Sequence, residues 1–583
     1  MLPKSYIFLD DQLTHTQRYY TNPIDILTAD NPGDIDDIFA KLMQYHHKGY
    51  FIAGYLSYDL SYVFEPTLSH RLAVKRPTPL LSFGIFKTFQ HQAPTQLLYS
   101  AQDPELTLTP HWDEAEYRKR FNQVMDYIQA GDVYQINLTF PMTGPYPSSA
   151  HSLYAVLRHR QKGRYGGVVH LGDTPQIISL SPELFFRKEG LDMSMRPMKG
   201  TRPRSPNLQI DGDLRLDMRN DAKSQAENLM IVDLLRNDLS RISEPGSVKV
   251  PELFALETYE TLHQMTSRVL SKLTPDVDIK SIFSNLFPCG SVTGAPKIRA
   301  MEIIDDLETT PRGAYCGALG YIDPNGDACF NVGIRTLTVT GKKLTYNVGS
   351  GLVFDSQAED EYRECLLKAD VLTQPPVELI ETCLWTAKNG LAYGKAHKAR
   401  MIKAAKAFEY PFNPTEYDVL INGIKAKQND QHIRIKLDPN GTLSLSQKDF
   451  VPLKHPKIMV SPHKLSKKVQ YSKHKISRRS FYDEERERLK ALTGIDEVIF
   501  LNESGKLCEG SFTSIFIEKD GKLLTPALRT GILPGILRAQ LLRSRKARTA
   551  DLMKMDLLSA KKIYIGNSMR GLMPATLIEP PNQ

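Results

Sequence analysis

Glu183 lies in Leu180-Ser181-Pro182-Glu183-Leu184-Phe185-Phe186, one carboxylate among apolar neighbours at the end of a predicted strand. Desolvation there would raise its pKa and suit it to proton donation. Taken alone, a salt-bridged edge glutamate is the more ordinary reading. Lys199 stands in Arg196-Pro197-Met198-Lys199-Gly200-Thr201, held by a flanking proline and glycine. Such a lysine is a fixed cation for an anionic ligand or, if desolvated, a nucleophile. Glu361, Glu364 and Lys368 fall at i, i+3 and i+7 and so share one helical face, and Glu227 sits on a different predicted helix. The usual meaning of that face is a solvated salt-bridge ladder. A carboxylate from each of two helices is also how Mg2+ is held, with water and substrate completing its shell. The glycines and hydroxyls of residues 286–297, and later Gly349-Ser350-Gly351, offer backbone N–H groups to an anion. Neither has the residue order of a nucleotide P-loop or a dinucleotide fingerprint.

The elements that must position these groups are legible from periodicity. Tyr117, Phe121, Val124 and Ile128 mark one face of a helix over 114–130, stopped by Gly131. Residues 132–139 alternate as a strand whose polar face carries Gln135 and Asn137, which line a pocket or face water. A helix is predicted over 222–239, another starts near Pro296, and a third opens at Asp355-Ser356-Gln357. Strands are predicted over 329–340 and 344–353, joined by Gly341-Lys342-Lys343.

Length and charge bound the rest. At 583 residues the chain suggests three to four structural blocks, and 41% hydrophobic with 24% charged residues is the composition of a globular protein. No apolar run approaches the roughly 18 residues of a membrane span, and no signal-peptide stretch precedes Asp10 and Asp11, so a cytoplasmic location is expected. The cysteines are scattered without a C-x-x-C pair, which argues for buried reduced thiols. Residues 1–380 carry 38 basic and 46 acidic side chains, and 381–583 carry 36 and 20, a step from −8 to +16. That step and the Pro375-Pro376 pair predict two units, 1–371 and 379–583, with a linker at 372–378. The basic run from Lys464 to Arg479 has only Tyr471 as a stacking platform and no nucleic-acid-binding signature, so an anionic small molecule is a better ligand for it than nucleic acid.

Ser181-Pro182-Glu183, Pro197-Met198-Lys199-Gly200-Thr201, Glu227-Asn228-Leu229-Met230, residues 287–297, Ile334-Arg335-Thr336 and Glu361-Tyr362-Arg363-Glu364 together resemble the chorismate-utilising enzyme family, over about residues 50–370. Anthranilate synthase component I resembles the chain but has Ala where Lys199 stands, and Lys there is the mark of aminodeoxychorismate synthase component I. Gln135 occupies the place where isochorismate-forming members have a water-activating Lys, so the resemblance implies an ammonia-using enzyme. It further implies that Lys199 adds to the ring while Glu183 acts as general acid, and that Glu227, Glu364 and nearby Glu361 hold Mg2+. Arg335, Lys368 and the amides around Gly349 and Gly351 would then hold the substrate carboxylates, with His263 near the ring hydroxyl.

The second unit opens with Leu379-Ile380-Glu381-Thr382 and a helix bearing His397 and Arg400. Joined to residues 475–483, 509–516, 531–538 and 567–571, it resembles the fold-type IV pyridoxal-phosphate enzymes over about residues 378–578, most closely the aminodeoxychorismate lyases. The resemblance implies that pyridoxal 5'-phosphate is held on Lys475, with Glu509 at its pyridine nitrogen and Arg400, the amides of Ile536 and Leu537, and Ser568 at its phosphate. Arg570 reads equally well as a carboxylate contact or as part of a plain turn. Two departures stand out. Ser514 replaces a common Asn, and little chain precedes Glu381, which predicts a first subdomain that is trimmed or completed by a partner.

The expected fold class is therefore α+β, an antiparallel β-sandwich core with surrounding helices followed by a fold-type IV α+β domain. The implied function is two-step synthesis of 4-aminobenzoate: chorismate and ammonia give aminodeoxychorismate, which then loses pyruvate. The alternative is an anthranilate synthase component I fused to a class IV aminotransferase. No glutaminase nucleophile elbow is written in the chain, so ammonia is expected from a separate glutamine amidotransferase subunit. Analogy with the cofactor family makes a homodimer through the second unit the expectation, with neither nucleic acid nor membrane as a partner.

Overall fold

The computed structural model describes residues 2–98, 106–146, 149–161, 163–203, 217–258, 262–373, 377–425, 428–465, 473–477, 479–502, 504–519 and 521–578, without the side chains at 201–203, 258, 262, 263, 373, 480 and 481. Contacts divide the chain into two compact units, one comprising Met1–Gly200, Arg219–Glu257 and Gln264–Pro375, the other chiefly Pro376–Gln583.

Two large sheets make the first unit. One runs Gly294–Ala295, Gln135–Pro145, Lys343–Leu352, Thr336–Thr340, Gln176–Ser181, Tyr165–His170, Tyr6–Asp11 and Thr16–Thr21. The other centres on Leu184–Glu189, Ala328–Asn331, Ala318–Ile322 and Phe51–Leu56. Pairing is antiparallel in both. Ile7, Tyr20, Val169 and Ile177 of the first sheet share a buried core with Ala53, Tyr55 and Phe86 of the second, so the sheets form a sandwich. Helices cover the outer faces. Glu114–Gln129 is N-capped by Asp113 and buries Tyr117, Phe121, Val124 and Ile128, the stripe that its spacing predicts. Ala222–Ser240 and Ala358–Thr373 also fall where expected.

Two predicted strands are in fact broken, and the breaks build the site. Residues 176–189 are two strands, Gln176–Ser181 in the first sheet and Leu184–Glu189 in the second. Residues 328–340 are likewise Ala328–Asn331 and Thr336–Thr340, in different sheets. The strands on either side of both crossings are buried at consecutive residues rather than alternately, so each reads as one buried stretch and periodicity does not register the change of sheet. The crossings are laced together: Val332 N–H donates to the Glu183 carbonyl at 3.1 Å, Leu180 N–H to the Arg335 carbonyl at 3.0 Å, and Ser181 O–H to the Val332 carbonyl at 2.6 Å. Arg335 turns the chain with φ 51°.

The second unit has a four-stranded antiparallel sheet, ordered Gly390–Leu391, Leu379–Thr386, Gln431–Leu437, Leu443–Asp449, packed on the helices Gly394–Phe408 and Pro414–Asn422. An eight-stranded mixed sheet follows, in which Lys457–Val460 pairs in parallel with both Glu497–Leu501 and Gly571–Leu577. The strand that opens this unit, Leu379–Thr386, pairs from Leu379 to Trp385 with Gln431–Leu437, with Glu381 inside it. Ile380 N–H donates to the Lys475 carbonyl at 2.8 Å, which ties the segment that carries Lys475 to this sheet.

No helix among the described residues is long and apolar enough to cross a membrane. All six cysteines are free and buried.

Candidate active sites

In the first unit the sheet junction places Glu183 at 4% exposure, with Oε1 lacking a hydrogen-bond partner among the described residues. Burial pushes its carboxyl up to about 7, against the opposing pull of the Ser291 hydroxyl and the Lys199 ammonium. Gln135 opens the strand Gln135–Pro145 and is fully buried, and both its amide atoms are unpartnered among the described residues. A buried amide that makes no hydrogen bond forfeits about 1–3 kcal/mol per polar group, so these two atoms call for a partner, water or ligand, from outside the described residues. Lys199 converges on the same spot. A Cβ placed on Gly351 would lie 3.2 Å from Lys199 Nζ and 3.3 Å from Gln135 Nε2, so the missing side chain leaves room between an ammonium and an amide. Lys199 Nζ is also 3.9 Å from Glu227 Oε2, and the adjacent Asn228 has a buried, unpartnered Nδ2 among the described residues.

Other expected residues are arranged differently. Lys368 Nζ donates to the Gly349 carbonyl at 2.7 Å and pairs with Glu364 at 2.8 Å, so it braces the Lys343–Leu352 strand from the helix Ala358–Thr373. Glu361 accepts the Ser356 O–H at 2.8 Å. Arg335 is partly buried, and desolvation lowers its pKa; with the Gln161 amide turned so that its oxygen faces the guanidinium, Arg335 donates to it. The backbone of His263 lies in the strand Leu262–Lys272, and its side chain is outside the described residues. Lys297, within the glycine-rich motif, pairs with Asp238 at 2.5 Å and joins two helices. Among the described residues no three His, Cys, Asp or Glu side chains converge as a metal cluster.

Sequence reading passed over the frame of this site. Arg312 and Glu308 form a buried ion pair at 2.7 Å. Arg312 donates to the carbonyls of Val292 and Asn137 at 2.7 Å each, and Glu308 accepts the Thr139 N–H at 2.8 Å, so the pair fastens the strand that begins at Gln135 to the 290–295 turn.

In the second unit Lys475 is partly buried. Desolvation, with Arg479 and Arg400 nearby, pushes its amine down to about 7. Glu509 is buried too and pushed up to about 7, although Oε2 accepts the Leu533 N–H at 3.0 Å and Oε1 the Tyr482 O–H at 3.3 Å. Arg479 donates to the Ser511 carbonyl. Arg400 gives Nε and Nη2 to Glu381 at 2.7 and 2.6 Å and turns Nη1 to the Pro534 carbonyl at 3.5 Å, at the turn feeding the helix Ile536–Arg543. A methyl on Gly566 would fall 2.8 Å from Leu537 Cδ2, which sets the Ser568 turn against the start of that helix. Asn567 Oδ1 builds the turn by accepting the N–H groups of Met569 and Arg570 at 3.0 and 2.9 Å, and the Arg570 guanidinium stands 5.5 Å from both the Phe450 and Phe512 rings. His432, passed over in sequence, has its imidazole held down to about 4 by burial and by Lys448, Arg570, Arg434 and Lys475. Arg479, Arg400 and Arg434 thus act on Lys475 together, with Glu381 opposing them.

Residues 4–374 match the family described as chorismate binding enzyme, and residues 378–578 that described as amino-transferase class IV. Aminodeoxychorismate synthase component 1 of Escherichia coli (strain K12) is 36% identical over 342 residues, 54% of this chain and 75% of that protein. Anthranilate synthase component 1 of Streptomyces coelicolor is 38% identical over 261 residues, 45% of this chain and 51% of that protein. The crystal structure of anthranilate synthase component I from Streptococcus pneumoniae TIGR4 superposes with TM-score 0.55 at 26% identity, covering 64% of this chain and 93% of that one.

Proposed function

The chain belongs to the chorismate-binding enzyme family and carries a class IV amino-transferase domain, and from that premise we propose that it makes 4-aminobenzoate in two steps. The observation that carries the reading is the convergence of the Lys199 amine and the unpartnered Gln135 amide on the bare backbone of Gly351. An amide there can hold ammonia or a ring hydroxyl without activating water.

In the first step the Lys199 amine adds to the chorismate ring as the C4 hydroxyl departs with the proton of Glu183, giving water. Ammonia then adds at C4, the bond to Lys199 breaks, and Glu183 recovers its proton from the incoming nitrogen. With its pKa at about 7, Glu183 carries that proton in a large fraction of molecules near neutrality. Glu227, Glu361 and Glu364 are hard oxygen donors of the kind Mg2+ takes, although among the described residues they do not converge as a metal cluster. When bound, the ion would offset the charge of the ring carboxylate. Arg335, Lys368, His263 and the amides near Gly349 and Gly351 are proposed for the remaining substrate contacts. Relatives bear the name component 1, in keeping with ammonia delivered by a separate glutaminase subunit.

For the second step, Lys475 and Glu509 fit pyridoxal phosphate: the lysine amine is partly buried and lowered to about 7, and the carboxylate is buried within electrostatic reach of it. When bound, the cofactor supplies an electron sink. Lys475 takes the proton from the ring carbon that bears the amine, the C3–O bond breaks, and the departing enolpyruvate gains a proton to become pyruvate as the ring becomes aromatic. Glu509 would pair with the pyridine nitrogen of the bound cofactor, and Arg400, Ser568 and the amides of Ile536 and Leu537 would hold its phosphate.

The test supplies purified protein with chorismate, Mg2+, ammonium and pyridoxal phosphate and separates the products by chromatography. 4-Aminobenzoate and pyruvate are expected from the wild type, aminodeoxychorismate from Lys475→Ala, and neither from Lys199→Ala. Anthranilate as the product would sink the reading in favour of its rival.

A further inference from the structure

Arg400 does not stand alone. Glu381 is 1% exposed and His397 wholly buried, and the Glu381 carboxylate accepts Arg400 Nε–H at 2.7 Å, Arg400 Nη2–H at 2.6 Å and a bond from His397 Nδ1 at 2.6 Å. The strand Leu379–Thr386 supplies the carboxylate, and the helix Gly394–Phe408 supplies the other two from successive turns. Burial would raise the carboxyl of Glu381, but Arg400 overrides it and holds the group ionised. A buried ion pair gains little net stability, because desolvation of both charges offsets their attraction. Its geometry is the more informative feature. The bidentate grip fixes the guanidinium plane and leaves Nη1 as the edge facing the Pro534 turn, which leads into the amides of Ile536 and Leu537. A single-bonded Arg would rotate about its long side chain; this one cannot without breaking two short bonds.

We propose that Glu381, braced by His397, is a positioning residue that aims Arg400 at the phosphate of the cofactor. The inference rests on the pyridoxal phosphate reading given above. The residue touches neither cofactor nor substrate and acts through the guanidinium it orients.

The test measures dissociation constants of the full-length protein for pyridoxal 5'-phosphate and for pyridoxal, which lacks the phosphate, by absorbance and fluorescence titration. Glu381→Gln keeps the shape and removes the charge, and is expected to lose at least tenfold in preference for the phosphorylated compound while its affinity for pyridoxal holds. His397→Leu is expected to move in the same direction, and His397→Asn, whose amide can still donate to Glu381, to retain the preference. In an Arg400→Lys background Glu381→Gln should change the preference no further, since the pair acts as one unit. Equal loss of both compounds in Glu381→Gln and His397→Leu, or an unchanged ratio in both, overturns the proposal and leaves the buried trio a packing device. A wild type that binds neither compound overturns the cofactor reading itself, and this inference with it.

Discussion

At the scale of single residues, both candidate sites depend on a group that burial moves towards neutrality. Glu183 works as an acid only while protonated. Its folded pKa of about 7 lies above the ordinary carboxyl value, so its proton is present below that pH and lost as the pH rises through it. Aminodeoxychorismate formation should therefore decline above about pH 7, and Glu183→Gln should be slower by about 10²-fold and lack that limb. A rate profile of chorismate consumption against pH, for wild type and variant, checks both. Lys475 shows the opposite sign. Its folded pKa of about 7 lies below its unfolded value, so the unfolded chain binds the extra proton between pH 7 and the ordinary lysine range, and stability rises with pH across that window. Near pH 7 the cost of keeping the amine buried is on the order of 4 kcal/mol, at 1.36 kcal/mol per pKa unit. Lys475→Met should accordingly melt at a higher temperature than the cofactor-free wild type at pH 7, and the gap should narrow by pH 10. Calorimetry at the two pH values decides it.

At the scale of elements, the structure explains what sequence could and could not disclose. Helices with a clean apolar stripe, such as Glu114–Gln129, were readable because one period of 3.6 governs their whole length. The crossings at 181–184 and 331–336 were not, because strands buried at consecutive residues carry no alternation whose phase could mark the change of sheet. Glu183 was nonetheless recognisable as a carboxylate in apolar surroundings, whereas Arg335 gave no sign that it would face Gln161. Glu381 had no local signal at all: only folding brings it to Arg400. Gly351 was legible as an anion-friendly glycine, but its closeness to Lys199 and Gln135 depends on the strand pairing that sets it opposite Asn137. Gly351→Ala should therefore crowd both side chains and slow the first step by an order of magnitude or more, since small misplacements of reacting groups are costly. Conversion of supplied aminodeoxychorismate to 4-aminobenzoate should be untouched. Loss of both activities together would mean that the glycine serves folding rather than the site.

At the scale of the whole molecule, the two units carry opposite net charge, −8 over residues 1–380 and +16 over 381–583, although chorismate and aminodeoxychorismate are both dicarboxylates. Net charge acts on encounter more than on chemistry, and salt screens it over about 10 Å at 0.1 M. The second step meets its substrate with long-range attraction, reinforced locally by Arg434, Arg570 and Lys448 around His432 and Lys475. The first has to bind the same kind of anion against an unfavourable overall field and relies on short-range contacts inside the sheet junction. Raising the salt from about 0.02 to 0.3 M should therefore lower kcat/KM for aminodeoxychorismate in the second step, and leave that for chorismate unchanged or slightly raised. Each half is assayed separately, with Lys475→Ala reporting the first and Lys199→Ala the second, so that neither rate hides the other. Equal salt slopes would mean that the charge step is a matter of solubility and that local contacts alone govern capture in both units.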